Sequence, residues 1–149
     1  MMRKAGNCGK CTEKREGTTL KYKAEYFKLS EFACPCCHYV KVASSLVITL
    51  EAFRRTWAAP VLVNSGFRCL RHNAEVGGAQ NSRHLIGCAA DIRPVDLALI
   101  GPFQNLAGAL WGRLSGWELK LYPRFVHIAV PREEAARLWN EGKIDIICR

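Results

Sequence analysis

The stretch Ser82-Arg83-His84-Leu85-Ile86-Gly87-Cys88-Ala89-Ala90-Asp91 constrains the fold more than any other part of the chain. Its second half is a run of small residues, Gly87 to Ala90, that leads into Asp91-Ile92 and is stopped by Pro94. This predicts a short strand whose small side chains let other backbone, or a metal ion, come close. On an extended strand Ala89 and Asp91 share one face while Ala90 and Ile92 share the other. Asp91 then looks across a floor that Ala89 leaves open, and His84, on the loop before the strand, is placed to turn toward it. Taken singly, each residue has an ordinary reading, a polar surface imidazole and a turn-forming carboxylate. The block as a whole makes them candidates for one site.

The surrounding pattern supplies the frame. Ser44 and Ser45 read as caps of an amphipathic helix, with Leu46 or Val47, Leu50, Phe53 and Trp57 recurring at helical spacing up to Pro60. Val61-Leu62-Val63 entering Asn64-Ser65-Gly66 reads as a buried strand and turn, and Cys69 to Val76 as a short helix stopped by Gly77-Gly78. A second helix is expected over 102–114. Trp117 to Val130, with Tyr122-Pro123-Arg124 at its middle, fits a β-hairpin that puts His127 on its return strand. Pro131 begins a last helix, with Glu133 and Glu134 in its first turn and Gly142 at its end. The order of elements suggests an α+β domain built on a small antiparallel sheet with flanking helices.

A chain of 149 residues is expected to form one domain. Residues 1–25, polar and basic with Cys8 and Cys11 but no apolar periodicity, read as an arm, and 26–149 as the folded unit. No apolar run approaches the ~20 residues of a membrane span. The amino-terminal positive charges lack the apolar stretch that a secretory leader needs, so synthesis in the cytoplasm without a signal peptide is expected. The formal net charge of +9 draws the protein toward polyanions such as nucleic acid, anionic lipid or an acidic wall polymer. Lys and Arg are scattered, without a dense basic tract, so nucleic acid is a weak candidate as partner.

The block SxHxxGxAxD, together with Ser65-Gly66-Phe67-Arg68 and Asn73, Gly77 and Gly78, resembles the zinc D-Ala-D-Ala carboxypeptidase family, whose fold Hedgehog signalling domains share. The likeness runs from about Phe27 to Trp139. It is strongest to the branch of phage lysins and murein endopeptidases, through Ser30-Glu31-Phe32, Ser65 to Arg68, Ser82 to Asp91 and Phe125 to Ile128. The resemblance implies a Hedgehog/DD-peptidase fold and a Zn²⁺ ion on His84, Asp91 and His127. It also implies an amide bond of a peptidoglycan stem peptide as substrate, Arg68 as the group that grips a carboxylate or an oxyanion, and Ser82 beside it in substrate binding. A monomer acting at the cell wall, once released or delivered there, is expected. Two imidazoles and a carboxylate suit zinc, and three protein ligands leave a position open for water, as a catalytic site requires.

The chain departs from the family at its acids. Relatives carry Asp or Glu three residues before the last His, or two after it, and here those positions hold Arg124 and Ala129. Glu118 is the nearest carboxylate on the hairpin and the candidate general base, with a solvent-facing Glu as the ordinary alternative. A catalytically weak or inactive zinc-containing module that binds the wall is therefore the competing function. A nucleic-acid or regulatory zinc protein is a third reading. Cys8-x-x-Cys11 with Cys34-Pro35-Cys36-Cys37 offers thiolates for a second, structural zinc, and Cys69, Cys88 and Cys148 stand singly.

Overall fold

A computed structural model of the protein describes residues 24–140 and 144–147. Ten regular elements follow in chain order: β1 (Val40–Ala43), α1 (Ser44–Trp57), β2 (Val61–Ser65), α2 (Leu70–Glu75), β3 (Ala89–Pro94), α3 (Ile100–Trp111), β4 (Glu118–Tyr122), β5 (Phe125–Ala129), α4 (Arg132–Asn140) and β6 (Ile144–Ile147). Single 3-10 turns occupy Leu29–Phe32, Arg83–Ile86 and Leu97–Leu99. Four strands make an antiparallel sheet in the order β2-β3-β5-β4, and β1 pairs with β6 in a separate two-stranded sheet. This is the α+β arrangement that the sequence suggests. No helix among the described residues is long and apolar enough to cross a membrane.

The period-two alternation of the strands divides the four-stranded sheet into two faces. Ala90, Ile92, Val126 and Ile128 point one way and join the helices in the core. There Phe53 of α1 stacks on Trp111 of α3 with ring centroids 4.7 Å apart and meets the edge of Phe103 at 4.9 Å. Removing so large a buried ring costs ~3–5 kcal/mol, so this face fixes the sheet. The opposite face carries Asp91 and His127, which are direct cross-strand partners on β3 and β5. A one-residue slip of either strand would turn its residue into the core.

Local details depart from expectation for identifiable reasons. Ala43 holds the N-cap position of α1, so Ser44 and Ser45 are the first helical residues rather than its caps. The helix ends where Ala58 turns left-handed at φ 59, two residues before Pro60. Helix α3 starts at Ile100 and stops at Trp111, instead of spanning 102–114. The Leu97–Leu99 turn, capped by Asp96 Oδ1 accepting from the Ala98 amide at 2.9 Å, feeds straight into it, and Pro102 falls in its first turn, where proline is tolerated. Strand β1 was not anticipated. All four of its residues are buried, including Lys41, whose ammonium lies 5.2 Å from the Phe67 ring centroid. The amino-terminal edge of the fold is held by the buried Glu51 of α1, which accepts from the Tyr26 amide at 2.9 Å and the Phe27 amide at 3.0 Å. Cys8, Cys11, Gly142 and Cys148 lie outside the described residues.

Candidate metal centre

Two local devices position the three proposed ligands. His84 sits in the Arg83–Ile86 turn, which Ser82 starts by accepting the His84 amide on its Oγ at 3.3 Å and Gly87 closes at φ 72. A Cβ at Gly87 would strike the Lys41 carbonyl of β1, so the turn sits directly against that strand. The His84 ring is nearly inaccessible, and its Nδ1 lies 2.7 Å from the Gly66 carbonyl. A carbonyl can only accept, so the proton is on Nδ1 and Nε2 presents a lone pair. Asp91 and His127 come from the paired strands, with His127 Nδ1 2.8 Å from Asp91 Oδ1.

His84 Nε2 is the telling atom. It lies 3.3 Å from Asp91 Oδ1 but is not aligned to hydrogen-bond it, and it is a buried nitrogen with no directed partner among the described residues. Buried polar atoms are normally satisfied. His84 Nε2, an Asp91 oxygen and a His127 nitrogen converge within 4.8 Å of one another. Ligands at ~2.0–2.1 Å around a tetrahedral ion stand roughly 3.3 Å apart, so the donor set fits Zn²⁺ with small adjustments. Burial alone would push the Asp91 carboxyl up, yet the His127 hydrogen bond and the adjacent His84 ring outweigh it and hold the group well below the usual carboxylate range. Asp91 is therefore ionised, as a ligand must be.

The next residues outward are also tied to these three. Arg68 donates from Nη2 to Asp91 Oδ2 at 3.2 Å and from Nε to Ser65 Oγ at 2.9 Å, with Nη1 3.5 Å from Asn73 Oδ1. Its backbone amide holds the His84 carbonyl at 3.1 Å. Glu118 places Oε1 3.0 Å from His127 Nε2 and Oε2 2.8 Å from Arg83 Nη2. Burial would raise the Glu118 pKa, but the charges of Arg83, Lys120 and His127 prevail and lower it. The register explains the geometry. Glu118 faces Ala129 and Lys120 faces His127, so Glu118 is the diagonal neighbour of His127 on the site's face. A carboxylate thus reaches His127 from the strand beside Ala129, which is itself fully buried.

These groups line a cleft of 340 Å³ with a basic rim of Arg68, Arg83, Lys120 and Arg132, and Ser82 on its wall. The structure brings together His84, Asp91, His127, Arg68, Ser82 and Glu118. Arg83, whose Nη1 also donates to the Val130 carbonyl at 2.6 Å, had no sequence signal, because its partners lie far along the chain. The cysteines regroup. Cys69, which the sequence left on its own, stands with Cys34, Cys36 and Cys37, all four offering sulfur within 4.8 Å, while the proposed partners Cys8 and Cys11 are not among the described residues.

A family model described as peptidase M15 matches residues 25–129. The zinc D-Ala-D-Ala carboxypeptidase of Streptomyces albus G is 50% identical over 44 residues, which is 29% of this chain and 17% of that relative's length.

Proposed function

This chain belongs to the peptidase M15 family, and from that premise we propose that it is a zinc metallopeptidase hydrolysing an amide bond in peptidoglycan stem peptides, as a D-Ala-D-Ala carboxypeptidase or a murein endopeptidase. The observation that carries the reading is the convergence of His84 Nε2 with Asp91 and His127 at the floor of the cleft, with no other partner among the described residues directed at that nitrogen. The name of the Streptomyces albus G relative supports both the metal and the substrate class.

In this reading His84, Asp91 and His127 hold the ion. Zinc bound there supplies Lewis-acid chemistry, lowering the pKa of water toward ~7 and polarising a carbonyl. Arg68 fixes Asp91 through Oδ2, so that Oδ1 faces the imidazoles, and presents the remaining guanidinium edge to a substrate carboxylate or a developing oxyanion. The basic rim of the cleft favours the same anionic group. Ser82 accepts from the His84 amide and has its O–H left for substrate. Glu118 takes the proton-bearing Nε2 of His127 and so turns Nδ1 toward the metal; we assign it to orienting that ring rather than to general-base work. A base is tuned upward toward neutrality, whereas Glu118 is shifted down by its cations.

The test is digestion of purified peptidoglycan by the zinc-loaded protein, with products read by mass spectrometry. Release of D-Ala or of cleaved stem peptides that vanishes in His84→Ala supports the proposal. A protein that binds sacculi and yields no product supports the second reading, a wall-binding module, which Arg124 and Ala129 at the two acid positions favour. Neither binding nor products would refute both.

A further inference from the structure

On the other side of the Ser65–Cys69 turn lies a small cluster that the site just described does not use. Cys34, Cys37, Phe67 and Cys69 form a buried group of their own, with Cys36 and Tyr39 against it. Four thiol-bearing residues meet there although they come from two segments more than thirty residues apart. Cys36 Sγ is 3.3 Å from Cys69 Sγ, and all four sulfurs lie within 4.8 Å of one another. Sulfurs around a tetrahedral zinc at ~2.3 Å stand roughly 3.8 Å apart, which lies within the spread seen here.

The backbone has the matching form. Cys34-Pro35-Cys36-Cys37 sets Cys34 and Cys37 at the two-residue interval of a metal-binding knuckle. The His38 amide closes the turn on the Cys34 carbonyl at 2.8 Å, and the Cys34 amide returns to the Tyr39 carbonyl at 2.8 Å. His38 takes φ 62, a left-handed conformation uncommon for a residue with a side chain. Two amides are directed at sulfur as well, Cys69 N to Cys34 Sγ at 3.5 Å and His72 N to Cys69 Sγ at 3.4 Å. Such donors stabilise thiolates, which carry the charge that a metal draws out.

We propose that Cys34, Cys36, Cys37 and Cys69 bind a second zinc ion as a structural tetrathiolate that fastens the Cys34–Tyr39 turn to the turn carrying Gly66 and Arg68. Binding forms four zinc–sulfur bonds and releases four thiol protons to solvent, leaving a dianionic centre. Without the ion, burial and the neighbouring Cys69 and Cys34 push the Cys36 thiol up to about 12. A divalent cation reverses that balance and deprotonates coordinating thiols outright. The ion would secure the catalytic turn from behind, since the Gly66 carbonyl holds His84 and the Arg68 amide holds the His84 carbonyl. The site does not depend on the peptidase reading, because none of its ligands belongs to the cleft.

The experiment is metal analysis of full-length protein purified under reducing conditions, together with cobalt substitution. The wild type should carry two zinc ions per chain, and His84→Ala should retain one. Cobalt-loaded His84→Ala should show intense sulfur-to-cobalt charge-transfer absorption. Cys69→Ser and, separately, Cys36→Ser should each lose that absorption. The absorption readout in the folded His84→Ala background keeps the test valid if a cysteine variant folds poorly. Cys8→Ser/Cys11→Ser should leave the metal count unchanged. The proposal is overturned if His84→Ala is metal-free, if cobalt there gives no charge-transfer band, if mass spectrometry finds these cysteines in disulfides, or if the Cys8/Cys11 variant loses the thiolate metal.

Discussion

Replacing Glu118 by Gln isolates what its charge does for His127. The glutamate satisfies two donors at once, His127 Nε2–H at 3.0 Å and Arg83 Nη2 at 2.8 Å. An amide has one oxygen and one NH₂, so it cannot accept from both. With its oxygen toward His127, the NH₂ opposes the Arg83 guanidinium. With its oxygen toward Arg83, the NH₂ donates to His127 Nε2 and leaves the ring's proton on Nδ1, the nitrogen that faces Asp91. The second outcome opposes metal binding and the first strains the arrangement that favours it, and losing such an orienting partner typically weakens affinity ~10–100-fold, or ~1.4–2.7 kcal/mol. Competition against a chromophoric chelator at fixed pH should show this as a raised zinc Kd in Glu118→Gln. An unchanged Kd accompanied by a fall of ~10²–10⁴ in kcat would refute the orienting role and make Glu118 the base.

Other perturbations probe the frame. Gly87→Ala forces a side chain into a left-handed residue, at ~1–2 kcal/mol, and against the Lys41 carbonyl, so thermal denaturation should show marked destabilisation, with zinc affinity reduced because His84 shifts with the turn. Glu51→Ala strands the Tyr26 and Phe27 amides and should lower the unfolding free energy by about 1–3 kcal/mol in urea titrations. Burial raises the Cys88 thiol from 9.0 to about 12, so the folded state holds its proton more tightly than the unfolded one. Stability from this group is complete below pH 9 and is lost as pH rises toward 12, by up to ~1.4 kcal/mol per pH unit. Cys88→Ala should flatten that part of the curve, and an unchanged slope would assign it to other groups.

The convergence of His84, Asp91 and His127 was legible because their chemistry is concentrated in short segments: His84 and Asp91 share one block, and the hairpin around Pro123-Arg124 places His127 on its return strand. Helix α1 was legible from Leu46, Leu50 and Phe53, which form its buried stripe. What escaped depends on distant partners. Val40-Lys41-Val42-Ala43 is too short, and too interrupted by a lysine, to declare itself a strand, and β6, with which it pairs, lies near the other end of the chain. Cys69 gives no local hint of the Cys34 turn, 35 residues away. The facing of Glu118 required the β4–β5 register, since alternation alone allows either side of the sheet.

Strands β3 and β5 are the two interior members of the four-stranded sheet, each hydrogen-bonded on both sides. Asp91 and His127 therefore ride on the segments least able to fray, whereas β2 and β4, the latter with Leu121 and Tyr122 exposed, form the edges. In amide exchange, the backbone of these two residues should be among the slowest in the protein and should remain slow when metal is removed, because the ladder and not the ion holds it. Two of the three proposed ligands would thus persist as a rigid half-site in the metal-free protein.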